Sequence, residues 1–274
     1  MSTNFAHEQS LGKIPYRKSE AKGPVFVGDG APLTLDVGGG DHTVTLMVPS
    51  LFEKIDRGEF CELILKEPVQ DSVLNDPKQR QLQTENLAKI LRTAADWSNL
   101  KSVALNYCVA DKAAIRALND MKHLCKLALS STEIDSAELA RQPLIGRLQC
   151  VVLLNVLADD IVRKLSGSPN LTWLVLERTS ISPAALASLS RCPNLKYLQL
   201  NATLADGTID DRIIEALAQL KSVINLTLKG NTSPEQIKML LRSPGFKQIH
   251  PSKESLARLR ALNIHDSRIS SSCD

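Results

Sequence analysis

The sequence is poor in aromatic residues and contains no long apolar run. Trp, Tyr and Phe together make up 4% of the 274 residues, which is low for a β-sandwich or a β-barrel but ordinary where Leu, Ile, Val and Ala fill a regular interior. No stretch reaches the roughly 18 apolar residues of a membrane-spanning helix, and the first 20 residues lack the apolar core of a signal peptide. We therefore expect a cytoplasmic protein with no membrane partner, with secretion by a non-classical route as an alternative.

A strong charge of one sign and paired cysteines are also missing. The formal net charge of +3 is too small to favour a nucleic acid or an anionic membrane as the partner. The six cysteines include no CxxC pair and no ligand-like grouping with the five histidines. This pattern predicts free thiols beside apolar core positions, rather than a disulfide framework or a zinc site. No metal and no cofactor are expected.

Signatures of catalysis are absent as well. The sequence has no GxSxG, HExxH, Walker A or Rossmann fingerprint, and its histidines are scattered. We therefore expect no enzyme and no catalytic residues. The turn Gly38–His42 offers consecutive glycines whose backbone N–H groups could approach a phosphate, but neither GKS nor GKT follows it. A hairpin turn is the favoured interpretation, and small-ligand binding at Gly38–His42 is a weaker alternative.

What the sequence does contain is a leucine pattern of fixed period. The segment Leu171–Leu200 begins and ends with the same L-x-x-L-x-L strand, and a first copy is supplied by Phe60, Leu63 and Leu65. A period of 20 to 50 residues is typical of stacked repeat architectures. A last strand is predicted at Leu259–Ile264. The regular strand motifs begin at residues 100, 124, 148, 171, 195 and 223.

Each strand is followed by a turn and a short helix in the predicted repeat. Asp or Ser residues recur five or six positions after the last strand leucine, where their side chains can accept a hydrogen bond from the first turn of a helix. Pro183 and Pro234 follow two of them, at the first helical position that tolerates proline. The predicted N-caps are Asp111, Asp135, Asp159, Ser182 and Ser233.

These repeats resemble the leucine-rich repeat family, in which L-x-x-L-x-L is followed by an Asn, Cys or Thr position. The stretch TSISPAALASL is similar to the bacterial type, with repeats of about 24 residues. The resemblance covers residues 60–264 and implies an α/β solenoid, with a curved parallel sheet inside and short helices outside. A 40-residue first unit from Phe60 to Leu100 and an insertion at Ala205–Ile209 depart from the pattern.

The composition predicts four segments along the chain. Residues 1–24 are polar and are expected to form a mobile arm. Residues 25–59 are expected to form an N-terminal cap, made of a β-hairpin and a helix over Pro49–Arg57. The repeat domain spans residues 60–266, and residues 267–274 are a predicted disordered tail. We expect a monomer, with self-association through the edge strand Leu259–Ile264 as an alternative.

The residues between the strand leucines alternate onto the concave face of the predicted sheet. Because neighbouring strands lie about 4.8 Å apart, Trp173 and Tyr197 should stand side by side on adjacent strands. Apolar residues surround this pair and polar ones border it, which is typical of a binding hot spot. The predicted partner-binding residues are Trp173, Tyr197, Val175, Gln199, Val152, Leu154, Glu177, Asn201 and Lys126.

A noncatalytic scaffold that binds another protein on this face is the favoured function. Trp173 and Tyr197 could instead pack on each other or lie under the N-terminal arm, without an outside partner. In a second hypothesis the chain is an adaptor, similar to a ubiquitin-ligase adaptor, whose N-terminal segment recruits other machinery. That hypothesis needs a recruiting motif, and residues 1–60 contain no convincing F-box-like set of helices.

Overall fold

The computed structural model describes residues 2–4, 13–14, 19–20, 24–26, 33–37, 60–66, 77–204 and 206–271. The chain divides into two compact units, Met1–Leu144 and Ile145–Asp274. Across the described ranges, no helix combines the length and the apolar character needed to cross a membrane. The helices are α1 Pro77–Ala94, α2 Lys112–Asp120, α3 Ser136–Arg141, α4 Leu144–Arg147, α5 Asp159–Leu165, α6 Pro183–Ser188, α7 Asp211–Ala218, α8 Pro234–Leu241 and α9 Lys253–Ala261, with a 3₁₀ turn at Leu189–Arg191.

The first unit is organised around a parallel sheet. Its strands are β1 Ser2–Asn4, β2 Lys13–Ile14, β3 Ser19–Glu20, β4 Pro24–Phe26, β5 Leu33–Val37, β6 Phe60–Lys66, β7 Ser102–Asn106, β8 Val109–Ala110, β9 Lys126–Ser130 and β10 Glu133–Ile134. Strands β5, β6, β7 and β9 pair in that order, and β2 pairs antiparallel with both β3 and β5. Two smaller pairs accompany this sheet, β1 with β4 and β8 with β10.

The second unit has a parallel sheet of five strands in sequence order. Each strand pairs with the next without a shift in register, so equivalent repeat positions face each other. Short helices α5 to α9 alternate with or follow these strands. The strands are β11 Cys150–Leu154, β12 Trp173–Glu177, β13 Tyr197–Asn201, β14 Asn225–Leu228 and β15 Gln248–His250.

The strand leucines form the core of both units. Leu174 and Leu176 of β12, and Leu198 and Leu200 of β13, are fully buried. The helices add apolar side chains from their inward faces, such as Ile214 of α7. Strand, turn and helix thus follow one another in the order that the leucine-rich-repeat fold requires, and the predicted α/β fold class is confirmed.

The helix starts confirm four of the five predicted caps. Asp111, Asp135, Ser182 and Ser233 accept a hydrogen bond from the third residue of their helices. The prediction for Asp159 was wrong, because Ala158 is the N-cap of α5 and makes no side-chain cap. The Asp159 carboxylate instead accepts hydrogen bonds from the backbone N and the Oγ of Ser182, at 2.7 and 2.6 Å. It therefore ties one repeat to the next.

The C-terminal end differs from its prediction. The predicted strand Leu259–Ile264 overlaps the end of the helix α9, Lys253–Ala261, and Leu259 is buried while Leu262 is 60% exposed. The edge strand invoked for self-association does not exist in that form. Residues 267–271, predicted to belong to a disordered tail, contact β15 through the bridge between Ile249 and Ile269. The hydrogen-bonded structure therefore continues past residue 267.

Several N-terminal predictions fall outside the described residues. Strand β5 exists and pairs in parallel with β6, but its proposed hairpin partner and the helix over Pro49–Arg57 lie outside the described ranges. The same holds for the turn Gly38–His42. The mobility of residues 1–24 and the cap formed by residues 25–59 stay predictions.

Candidate functional site

The candidate site lies on the face of the second unit's sheet that is opposite the helices. We call it the aromatic face and define it by β11 to β14. In-register pairing places Trp173 between Cys150 and Tyr197, and it places Tyr197 beside Asn225. The fixed repeat phase causes this alignment, because buried leucines on either side of these positions leave only one face for the residues between them.

Trp173 and Tyr197 form a stacked pair. Their ring centroids are 3.7 Å apart and their planes are inclined by 18°. Trp173 is nevertheless 43% exposed, whereas Tyr197 is half-buried. An aromatic pair contributes about 0.5–1.5 kcal/mol beyond its buried area. The stacking therefore stabilises the orientation of both rings. The stack is therefore a preformed apolar surface that is still open to solvent.

A chain of hydrogen bonds holds the Tyr197 side of the stack. The Tyr197 hydroxyl donates to Oε1 of Gln199 at 2.8 Å, and Nε2 of Gln199 donates to the Glu177 carboxylate. Nζ of Lys229 donates to the same carboxylate at 2.5 Å. The Tyr197 hydroxyl also lies 3.5 Å from Oγ1 of Thr227. These contacts limit the side-chain freedom that Tyr197 and Gln199 would otherwise lose on binding.

The remaining predicted residues of the second unit surround this stack. Val152 pairs in register with Val175, and Leu154 with Glu177, while Asn201 lies on the other side of Glu177. All five are half-buried. The structure thus brings eight of the nine predicted residues onto one face, with apolar side chains on β11 and β12 and amides on β13.

Lys126, the ninth predicted residue, belongs to the first unit and has a carboxylate partner there. Its Nζ lies 3.2 Å from Oε1 of Glu62. Glu62 also accepts from Oγ of Ser102 at 2.8 Å and from Oγ1 of Thr34 at 3.0 Å. Burial raises the pKa of Glu62, but the Ser102 hydrogen bond and the Lys126 charge outweigh it and hold this pKa below its usual value. Lys126 is thus already engaged in a local ion pair.

Sequence reasoning left two members of the polar chain out of the site. Thr227 lies on β14 and Lys229 directly follows that strand, and neither is among the predicted partner-binding residues. A signal for Lys229 was available, since it follows the last strand leucine just as Glu177 and Asn201 do. Glu177 and Lys229 carry opposite charges two strands apart on one face, a distance that the long lysine side chain spans.

The other described residues show no grouped metal ligands. Within the described ranges, no three His, Cys, Asp or Glu side chains come together in a way that could hold a metal ion. Cys61, Cys108, Cys125, Cys150 and Cys192 are thiols rather than members of disulfides. The alternative of an N-terminal recruiting segment falls mostly on residues outside the described ranges.

Comparisons with solved structures include a likeness at low sequence identity. No family model matches the chain, and no curated protein matches it. One similar solved structure is described as "Crystal structure of TLR13-ssRNA13 complex". It is 15% identical over 73% of this chain and 27% of that chain, with a TM-score of 0.46. A likeness at this level carries no argument about function.

Proposed function

We propose that the chain is a noncatalytic recognition module that binds another protein on its aromatic face. The observation that carries this proposal is the exposed stack of Trp173 on Tyr197. Trp and Tyr are enriched among the residues that contribute most of the energy at protein interfaces. An aromatic pair with an exposed tryptophan on a sheet face is accounted for by a partner that covers it.

The arrangement of the aromatic face supports rigid docking. Val152, Val175 and Leu154 add apolar surface beside the rings, and Gln199 and Glu177 border them with hydrogen-bonding groups. An apolar centre with a polar border is the usual anatomy of a protein interface. Since Tyr197 is already fixed by Gln199, the partner would not have to bear the cost of ordering it.

The double variant Trp173→Ala with Tyr197→Ala tests this function. We expect it to abolish capture of the natural partner from an extract of the source cell, because each lost hot-spot residue costs about 2 kcal/mol or more. Capture is measured by mass spectrometry at equal concentrations of folded protein, verified by circular dichroism. The bound protein is then purified and its affinity for both forms is measured directly.

A matched control removes two exposed apolar side chains outside the aromatic face. Leu204 and Leu262 are 52% and 60% exposed in the same unit. The variant Leu204→Ala with Leu262→Ala should capture the partner as the parent protein does. If the aromatic variant retains the same partner with unchanged affinity, the stack has only a structural role and the proposal is wrong.

A further inference from the structure

Positively charged side chains lie along the edge of the second unit's sheet where its strands begin. The segments that lead into β12 to β15 are residues 166–172, 189–196, 219–224 and 242–247, and none of them contains Asp or Glu. Because the strands are parallel, these segments lie at the same edge of the sheet. We call this the basic edge. Its exposed cations are Arg191, Lys196, Lys221, Arg242 and Lys247.

These five cations have no carboxylate partner among the described residues. Elsewhere in the unit, Arg212 pairs with Asp210 at 2.7 Å and Arg268 with Asp266 at 2.8 Å. Hydrogen bonds from the Arg268 side chain lower the pKa of Asp266 to about 2, and the backbone N–H of Arg268 donates a further hydrogen bond to the same carboxylate. The basic edge lacks such local neutralisation and therefore presents its full positive charge to solvent.

Helix dipoles explain only part of this charge. Arg242 is the C-cap of α8, where a cation is favoured by the negative end of the helix. Lys196 and Lys247, by contrast, directly precede strands. The backbone N of Ile224 donates to the carbonyl of Lys196, and that of Lys247 donates to the carbonyl of Ile224, both at 2.9 Å. The two lysines therefore flank Ile224 two strand spacings apart, about 10 Å.

The basic edge is continuous with the aromatic face. Lys196 immediately precedes Tyr197, and Thr172 holds the equivalent position before Trp173. The aromatic pair also occupies the first positions of β12 and β13, the ends of these strands nearest the edge. A partner that covers the stack would therefore also lie close to Lys196.

We infer that the partner presents an acidic protein segment, with carboxylates over the basic edge and an apolar side chain against Trp173. This inference rests on the proposed function and names the partner's chemistry. Charge complementarity of this kind raises association rates and excludes partners of like charge. Charge complementarity also predicts that the affinity falls as the salt concentration rises, because salt screens exposed charges.

The aromatic stack favours a protein over a single-stranded nucleic acid. Base stacking needs free ring faces, but Trp173 and Tyr197 each cover one face of the other. Their remaining faces are turned along the sheet towards Cys150 and Asn225, which pair with them in register. Each ring therefore keeps at most one face for stacking, whereas an apolar side chain can pack against the pair without a free ring face.

The test uses the full chain and a fluorescent twelve-residue peptide of glutamates with a central Phe-Leu pair. Its control peptide has Gln in place of every Glu. We expect the acidic peptide to bind in 50 mM salt and to weaken at 300 mM. The variant Lys196→Glu, Lys221→Glu and Lys247→Glu should weaken this binding at least about tenfold, because attraction becomes repulsion at three positions.

The matched variant Lys238→Glu, Arg258→Glu and Arg260→Glu changes the net charge equally at exposed helix positions, and it should change the affinity less than about threefold. Equal loss in both triple variants, no binding of the acidic peptide, or binding only to oligouridylate or to phosphatidylserine vesicles would each overturn the inference. If the natural partner is lost with the aromatic variant but not with the lysine variant, the proposed function stands and the acidic partner does not.

Discussion

Replacing Leu198 by Ala is expected to lower the free energy of unfolding by about 2–5 kcal/mol, the usual range for a buried leucine that leaves a cavity. Leu198 is fully buried and lies in β13, where it pairs in register with Leu174 on one side and Leu226 on the other. The repeated leucines form continuous rows through the unit. A gap in the middle of one row therefore removes contacts from two neighbouring repeats at once.

Chemical denaturation followed by circular dichroism measures this loss. The matched control is Leu204→Ala, because Leu204 is 52% exposed in the same unit and should change the unfolding free energy by less than about 0.5 kcal/mol. Equal destabilisation by the two substitutions would contradict the assignment of the strand leucines to the core.

Gly245→Ala should destabilise the protein by about 1–3 kcal/mol, because there is no room for a methyl group. A Cβ at this position would lie 2.7 Å from the backbone oxygen of Lys221 and 2.9 Å from that of Leu220. Backbone atoms cannot rotate away as a flexible side chain can. The loop before β15 would have to move away from these two carbonyl groups.

Gly146→Ala is the matched control for this prediction. No atom lies within 4 Å of a Cβ placed at Gly146, which belongs to the helix α4. Because Ala is favoured over Gly in a helix by up to about 1 kcal/mol, this variant should be neutral or slightly more stable. Thermal unfolding of both variants decides the point, and a neutral Gly245→Ala would show that the close backbone approach is not there.

The phase of the leucines was enough to predict the register of the sheet. Once Leu174 and Leu198 are assigned to equivalent core positions, the preceding residues Trp173 and Tyr197 must be neighbours, and the structure confirms their pairing. The same phase predicted the caps at Asp111 and Ser233, because a helix start at a fixed distance from a strand needs a side-chain acceptor.

The pattern failed where one spacing suits two structures. The i, i+3 spacing of the L-x-x-L strand motif is also a helical spacing, and here Leu259 lies in the helix α9 while Leu262 is its C-cap. Asp159 could reach either its own helix or Ser182 of the next repeat, and only the three-dimensional distance decides between them. Cap residues Asp210 and Ser252 were missed because the insertion and the short last unit displace them from the regular interval.

The left-handed turns at the strand ends carry no clear signature in the sequence. Tyr107, Ser131, Asn155 and Arg178 all have φ between 46° and 58° and each directly follows the last residue of a strand. Only Asn155 is a residue type that commonly accepts this conformation. The conformation is imposed by the ladder, as in the hydrogen bond from the backbone N of Arg178 to the carbonyl of Asn201 at 2.9 Å.

The sequence predicted which site residues share one face of the sheet, but not the hydrogen bonds between their side chains. Repeat phase places Glu177, Gln199 and Tyr197 on one face, while their hydrogen bonds depend on side-chain torsions that periodicity does not determine. Lys126 illustrates the same limit. Its place on the sheet face was predicted, but its ion-pair partner Glu62 lies 64 residues earlier in the chain, on β6.

The most direct test of the central claim is whether Trp173 is open to solvent. The chain has two tryptophans, and Trp97 is only 2% exposed. Acrylamide, a neutral quencher, should therefore quench much of the fluorescence of the parent protein but little of that of Trp173→Phe, in which only Trp97 emits. Equal shielding in both proteins would mean that Trp173 is covered in the free chain, and the aromatic face could not then be its docking surface.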